Sequence, residues 1–249
     1  VGSRNRQPRT PAHAAATAKG EIVTIRTDLL VADIDTSGGI LRRLELRKHK
    51  DAKEENKPFM LFGAEHSYSA QSGLIGEGLP NHRTPFRAQP GERSLADGAQ
   101  SLELRLQSEP VNGVAVDKVY TFRRDSYLID VAFELKNDAA QPLAAHAYFQ
   151  LVRDDKAPAG ESAMMQTYTG PAVYTLEKNF QKVEFSAVEK GKVEYPRQAS
   201  DGWIGIMQHY FVSAWLPADK QAREYYTKKQ PDGLYSAGLI LATPQIATG

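Results

Sequence analysis

Tyr127-Leu128-Ile129-Asp130-Val131-Ala132-Phe133-Glu134-Leu135-Lys136 is the stretch on which the fold turns. Tyr127, Ile129, Val131, Phe133 and Leu135 occupy every second position, with Leu128, Asp130, Ala132, Glu134 and Lys136 between them. Side chains of a strand alternate between two faces, so this spacing gathers one apolar and one mostly polar surface; a helix would scatter the same residues around its axis. The strand-like Lys118 to Arg123 precedes it, and Arg124-Asp125-Ser126 closes a hairpin between the two. Asn137-Asp138 marks the next turn, and Pro142 to Leu151 returns as a strand through Ala145, Ala147, Phe149 and Leu151.

Working towards the N-terminus, Leu102, Leu104 and Leu106 alternate with Glu103, Arg105 and Gln107 and predict a half-buried strand. Ile22 to Thr27 and Leu30 to Asp35 read as strands, and Ser37-Gly38-Gly39 supplies the turn into Ile40 to Leu46. Leu41, Leu44 and the basic run from Arg47 to Lys50 also fit a short helix, although strand is favoured. Beyond the apolar Pro58 to Phe62, the polar, glycine-rich region to about Pro90 is expected to be mostly loop.

Towards the C-terminus, Lys182 to Val188 resumes alternation, and Tyr235 to Thr243 closes the chain as a strand. The densest apolar stretch, from Gly202-Trp203 to Leu216-Pro217, fits either a buried strand pair or one helix with Trp203, Met207, Tyr210 and Ala214 on a stripe. Several short strands separated by turn residues predict an antiparallel sandwich.

Charge is balanced: 31 basic residues face 30 acidic ones, so no strong field favours nucleic acid or anionic lipid. The apolar runs fall far short of the roughly 20 residues that cross a bilayer as a helix. With no cysteine, thiolate nucleophiles, disulfides and cysteine-ligated metals are excluded, and an oxidising compartment is compatible. Residues 1–19 carry four basic side chains, no acidic one and no amphipathic period, and read as a flexible basic tether to a domain spanning 20–249.

Chemistry finds little footing. His13, His49, His66, His82, His146 and His209 show no close metal-ligand spacing, and His146 and His209 read as core histidines. Ser72 lacks the first glycine of a nucleophile elbow, and Gly73, Gly76 and Gly78 lack the lysine of a phosphate loop and read as tight loop geometry. The pairs Asp154-Asp155 and Glu54-Glu55 fall in polar segments, where desolvation does not raise a carboxyl pKa. No catalytic, cofactor or metal residue is assigned. Tyr168, Tyr174, Phe180, Phe185 and Tyr195 form an aromatic set that either fills the core or meets a partner.

Ile25-Arg26-Thr27-Asp28-Leu29, Asp35-Thr36-Ser37-Gly38-Gly39, Tyr68-Ser69-Ala70-Gln71-Ser72-Gly73-Leu74, and Gly202-Trp203 through Trp215-Leu216-Pro217 resemble the large periplasmic domain of bacterial membrane protein insertases of the YidC/Oxa/Alb family. The resemblance runs from about Gly20 to Thr243. It implies a galactose-mutarotase-like β-supersandwich: two large antiparallel sheets with minor helices. It also implies a parent held in the bacterial inner membrane by helices outside this chain, with the domain facing the periplasm, truncated here before its C-terminal helix.

The implied work is non-catalytic: assisting insertion and folding of membrane proteins, by docking to the Sec translocon and its accessory complex or by contacting nascent chains. The family's docking portion corresponds approximately to Thr167 through Ala214, which contains the five aromatic residues. The alternative is a sugar-binding or aldose-epimerase-like protein, because mutarotase-like folds hold carbohydrates in an open cleft.

Overall fold

Alternating apolar side chains become strands along most of the chain. The computed structural model describes residues 20–51, 54, 56–158, 167–208 and 210–249, so the expected tether and the core role of His209 lie outside the described residues. In chain order the strands are β1 (Ile22–Arg26), β2 (Leu30–Asp35), β3 (Ile40–Lys50), β4 (Pro58–Phe62), β5 (Ser69–Ile75), β6 (Phe86–Ala88), β7 (Ser101–Ser108), β8 (Val114–Arg123) and β9 (Ile129–Asn137). There follow β10 (His146–Asp154), β11 (Gly170–Thr175), β12 (Asn179–Lys182), the short helix α1 (Phe185–Glu189), β13 (Gln198–Ala199), β14 (Trp203–Gln208), β15 (Phe211–Trp215), β16 (Arg223–Lys229) and β17 (Leu234–Ala242).

A nine-stranded antiparallel sheet forms one layer, in the order β1-β2-β3-β5-β10-β17-β16-β13, with β4 also paired to β3. The second layer is split into two four-stranded sheets, β6-β7-β8-β9 and β12-β11-β14-β15. Leu104, Leu106 and Phe122 from the first of these and Ile204 and Ile206 from the second are fully buried in one core with Ile25, Leu30, Ile34 and Tyr225 of the large sheet. At roughly 25 cal/mol per Å² of apolar surface removed from water, this shared core is the main force joining the layers.

Four expectations change. The segment expected to be mostly loop before Pro90 contains β5, a central strand between β3 and β10. Its small residues concealed it, and they are needed there: a Cβ on Gly73 would lie 2.5 Å from the Tyr148 hydroxyl and 2.7 Å from the Asn81 Cα. The alternation of 182–188 is helical at its end, because Phe185 and Val188, three apart in α1, are the two residues that enter the core. His146 opens β10 exposed to solvent, not in the core. Asp154 is not in a polar loop: it ends β10 buried, its Oδ1 lying 3.1 Å from His66 Nδ1.

Two open choices are resolved as well. Residues 203–215 form the β14–β15 hairpin, with Ile204 opposite Trp215 and Gln208 opposite Phe211, rather than one helix. The basic run that ends at Lys50 continues β3.

Candidate functional site

The strand that identifies the fold is also the one whose apolar face is not closed off. Ile129, Val131, Phe133 and Leu135 of β9 are only half-buried, whereas the corresponding leucines of β7 are fully covered. The cause is a gap in the upper layer. β9 ends one four-stranded sheet, β15 ends the other, and between them lies an open cleft of about 970 Å³.

Leu41, Leu44 and Leu46 of β3, Ala70 of β5, Phe149 and Leu151 of β10, and Leu239 and Leu241 of β17 form its floor. Ile129 and Val131 line one wall, and Phe211, Ser213 and Trp215 the other. Phe149 packs between Phe133 and Trp215, with ring centroids 6.1 and 5.1 Å away. His49 packs between Tyr127 and Phe211 at 5.6 and 5.4 Å, and Phe59 stacks on Phe211 at 4.1 Å.

The rim is unusually apolar for a surface. Leu128, Tyr210, Val212 and Leu216 are all more than half exposed beside the cleft. Contiguous exposed apolar groups of this kind mark binding surfaces more often than chance placement does. Within the cleft, Trp215 Nε1 is a buried polar atom with no hydrogen-bond partner among the described residues.

Titratable groups are sparse in the lining. Asp130 is ion-paired with Arg123, and His49 is held by aromatic rings. His82 lies apart from the cleft lining, with its Nδ1 on the Tyr148 hydroxyl; burial, then Arg83 and Lys118, push its pKa below the usual histidine value. Among the described residues no group of three His, Asp or Glu side chains could hold a metal ion.

Two buried cations fasten the upper layer. Lys118 of β8 is wholly buried, with Nζ 2.6 Å from Gly39 O, 3.2 Å from Ser72 O and 3.3 Å from Gly38 O. No carboxylate among the described residues answers it, and burial pushes its pKa down to about 7. Arg153 of β10 is equally buried but donates to Gln208 Oε1 of β14 at 2.7 Å and to Lys156 O at 2.6 Å, and approaches Asp154 Oδ1 at 3.4 Å.

The five aromatic residues singled out by sequence divide three ways, and none lines the cleft. Phe185 and Tyr195 are core residues. Tyr168 is tied down, its hydroxyl accepting the Val183 N–H at 2.9 Å and lying 2.5 Å from Pro171 O. Tyr174 and Phe180 instead flank Trp203, each 6.2 Å from its ring, and Phe180 is 44% exposed. Sequence reasoning missed the cleft because its lining comes from strands far apart in the chain. One signal was present: the wall residues belong to two strongly apolar stretches, 127–135 and 203–216.

Fold and cleft together define an all-β sandwich domain with an apolar groove between sheet edges. The chain matches the family described as the YidC periplasmic domain over residues 22–249, and it belongs to that family. Among relatives, it is 49% identical over 232 residues to the membrane protein insertase YidC of Nitrosospira multiformis, covering 92% of this chain and 41% of that one. It is 47% identical over 243 residues to the YidC of Dechloromonas aromatica, covering 97% and 44%. The chain thus spans less than half the length of these relatives. A galactose mutarotase related enzyme from Lactobacillus acidophilus superposes with a TM-score of 0.48 at 10% identity, covering 92% of this chain and 99% of that one. No helix among the described residues is long and apolar enough to cross a membrane.

Proposed function

We propose that this chain is a non-catalytic domain on the periplasmic face of the bacterial inner membrane, and that it assists membrane protein insertion by holding apolar segments of nascent clients in the cleft. The observation that carries this reading is the cleft itself: a groove of leucine, valine and aromatic side chains, open to solvent and rimmed by exposed apolar residues. Such a lining gains by covering apolar surface and offers a sugar few hydrogen bonds, which favours a client over a carbohydrate.

The test is site-specific photocrosslinking in a full-length insertase that carries this domain. A photoreactive residue at Val212 or Leu128 should capture a nascent membrane protein, while one at Arg87, exposed on β6 and outside the cleft lining, should not. Equal yields at all three positions would sink the reading. Acceleration of sugar anomer interconversion by the purified domain would favour the epimerase alternative instead.

A second surface supports docking to the Sec translocon's accessory complex. Tyr174, Trp203 and Phe180 make a partly exposed aromatic patch within 167–214, beside Leu176, which is 72% exposed. Aromatic residues on a rigid sheet are frequent anchors of interfaces.

A further inference from the structure

Away from the cleft, one end of the sandwich is almost free of charge. β5 and β17 finish there and β10 begins there, with Ile75 and Ala242 both opposite His146. Residues 75–80, 110–113, 138–145 and 243–249 cover it, cross-bonded into one surface. Leu143 and Ile246 exchange both main-chain hydrogen bonds at 2.9 Å, the Asp138 N–H donates to Gly113 O at 2.8 Å, and Asn137 Nδ2 donates to Gln141 O at 3.0 Å and Ile246 O at 3.2 Å. Among these segments lies a hollow of about 250 Å³, lined by Glu77, Leu79, Val111, Asn112, Ala139 and Pro142 among others. In a chain that is 24% charged, the four segments hold two charged residues, Glu77 and Asp138, and Lys136 pairs with the second at 2.8 Å. The opposite end differs: β3 runs out there into Lys48 and Lys50, and the β8–β9 turn contains Arg124 and Asp125.

Both ends of the described chain lie on the uncharged side. The Gly249 N–H donates to Asn137 O at 3.1 Å. Pairing is antiparallel throughout the order β1-β2-β3-β5-β10-β17, which gives β1 the direction of β10, so the chain also enters the sheet from this end. The insertase of Dechloromonas aromatica matches 97% of this chain with only 44% of its own length. Whatever else that protein contains therefore joins the domain through these ends.

We propose that this uncharged end is the seat of the domain against another part of the same polypeptide, and that the opposing surface consists of small apolar side chains with a basic group set against Glu77. Charged residues are depleted at the centres of protein interfaces, as they are here. Val111 is 43% exposed, and Pro110, Ala140 and Pro142 are exposed beside the hollow, so apolar surface is there to be covered. Glu77 is exposed with no ion-pair partner among the described residues, which leaves one carboxylate for a cation to meet. A bilayer surface fits less well. Anionic headgroups are bound through Lys and Arg, and interfacial anchoring uses Trp and Tyr, yet the four segments contain no basic and no aromatic residue. A second copy is at a disadvantage too, because a covalently joined surface is presented at high effective concentration. The seat does not depend on what the cleft holds.

Photocrosslinking of the full-length insertase in native membranes tests this, with products identified by mass spectrometry. A photoreactive residue at Val111 or Ala140 is expected to join residues of the same polypeptide outside this domain, at about tenfold the yield from Lys50 at the charged end. Glu77→Lys, in an exposed turn, is expected to cut that yield about fivefold, and Glu77→Asp to keep it. Lipid adducts, or products of doubled mass, in place of the intramolecular ones would overturn the seat, as would a yield no higher than from Lys50. An unchanged yield in Glu77→Lys would overturn the basic counterpart. Val111 and Ala140 lie outside the cleft lining, so client capture at Val212 and Leu128 is read separately and stands or falls by itself.

Discussion

The two four-stranded sheets lie on the same floor, yet their buried cations differ in kind. One sheet is anchored through Lys118, whose hydrogen-bond partners among the described residues are backbone carbonyls; the other is met by Arg153, whose partners include a side-chain amide, a carbonyl and a nearby carboxylate. A lysine can shed its proton when burial makes the charge costly, whereas a guanidinium cannot, so it must be given partners. The contrast therefore separates one fastening that responds to pH from one that does not.

Breaking the arginine side should have the largest effect. Arg153→Ala strands Gln208 Oε1 and the carbonyl of Lys156, and takes the buried cation from beside Asp154 and from over the Tyr68 ring. Removing one member of such a buried charged network costs about 3–5 kcal/mol, and the urea midpoint is expected to fall by that loss divided by the m-value.

The lysine side is sharpened by pH. The unfolded chain holds this proton up to the ordinary value of 10.5, while the folded chain releases it at about 7. Across that window the unfolded state binds more protons, so stability from this group rises with pH, at up to about 1.4 kcal/mol per unit. The rise is cut off near pH 10. There the unfolded chain's tyrosines begin to ionise while burial holds Tyr68 and Tyr120 protonated, which reverses the slope. Denaturation of Lys118→Met between pH 7 and 9.5 should show the rise flattened, with that of Arg153→Ala unchanged. His82, whose pKa is lowered, titrates below this window.

Tyr120→Phe gives a finer cut at the same anchor. The Tyr120 hydroxyl donates to Gly39 O at 2.6 Å, an oxygen that Lys118 also reaches. Because the carbonyl keeps one donor, the loss should be about 1 kcal/mol, measurable as a shift in denaturation midpoint without a change in slope.

Neither fastening could be seen in the sequence, and the reason is physical. Lys118 stands in a strand pattern as an ordinary polar position, and only the crossing of β8 over the Gly38-Gly39 turn and β5 brings three carbonyls to it. What alternation does carry is strands such as β1, β7 and β9, whose burial alternates along their length. It fails where a strand is covered on both faces by small residues, as in β5, and it assigns Phe185 and Val188 to a strand when their three-residue spacing serves a helix. The antiparallel sandwich was legible for the same reason. Splitting of its second layer, and hence the cleft, was not, because the gap between β9 and β15 depends on pairings that local period leaves open.

The smallest effect on stability is expected outside both anchors, where the aromatic set divides. Phe180 is 44% exposed on β12 at a sheet edge and touches Trp203 from one side, so Phe180→Glu should move stability by no more than about 0.5 kcal/mol. Tyr168→Phe is the internal contrast: it removes a buried hydroxyl that reaches Pro171 O and Val183 O and shares the Val183 N–H with Pro171 O, and should cost more while leaving the Trp203 patch in place. Co-purification with Sec accessory proteins from cells expressing the full-length insertase then separates fold from surface. Loss with Phe180→Glu and retention with Tyr168→Phe would place docking on the Tyr174–Trp203–Phe180 face. Retention with both would remove this patch from docking and leave the cleft as the one surface with a partner to find.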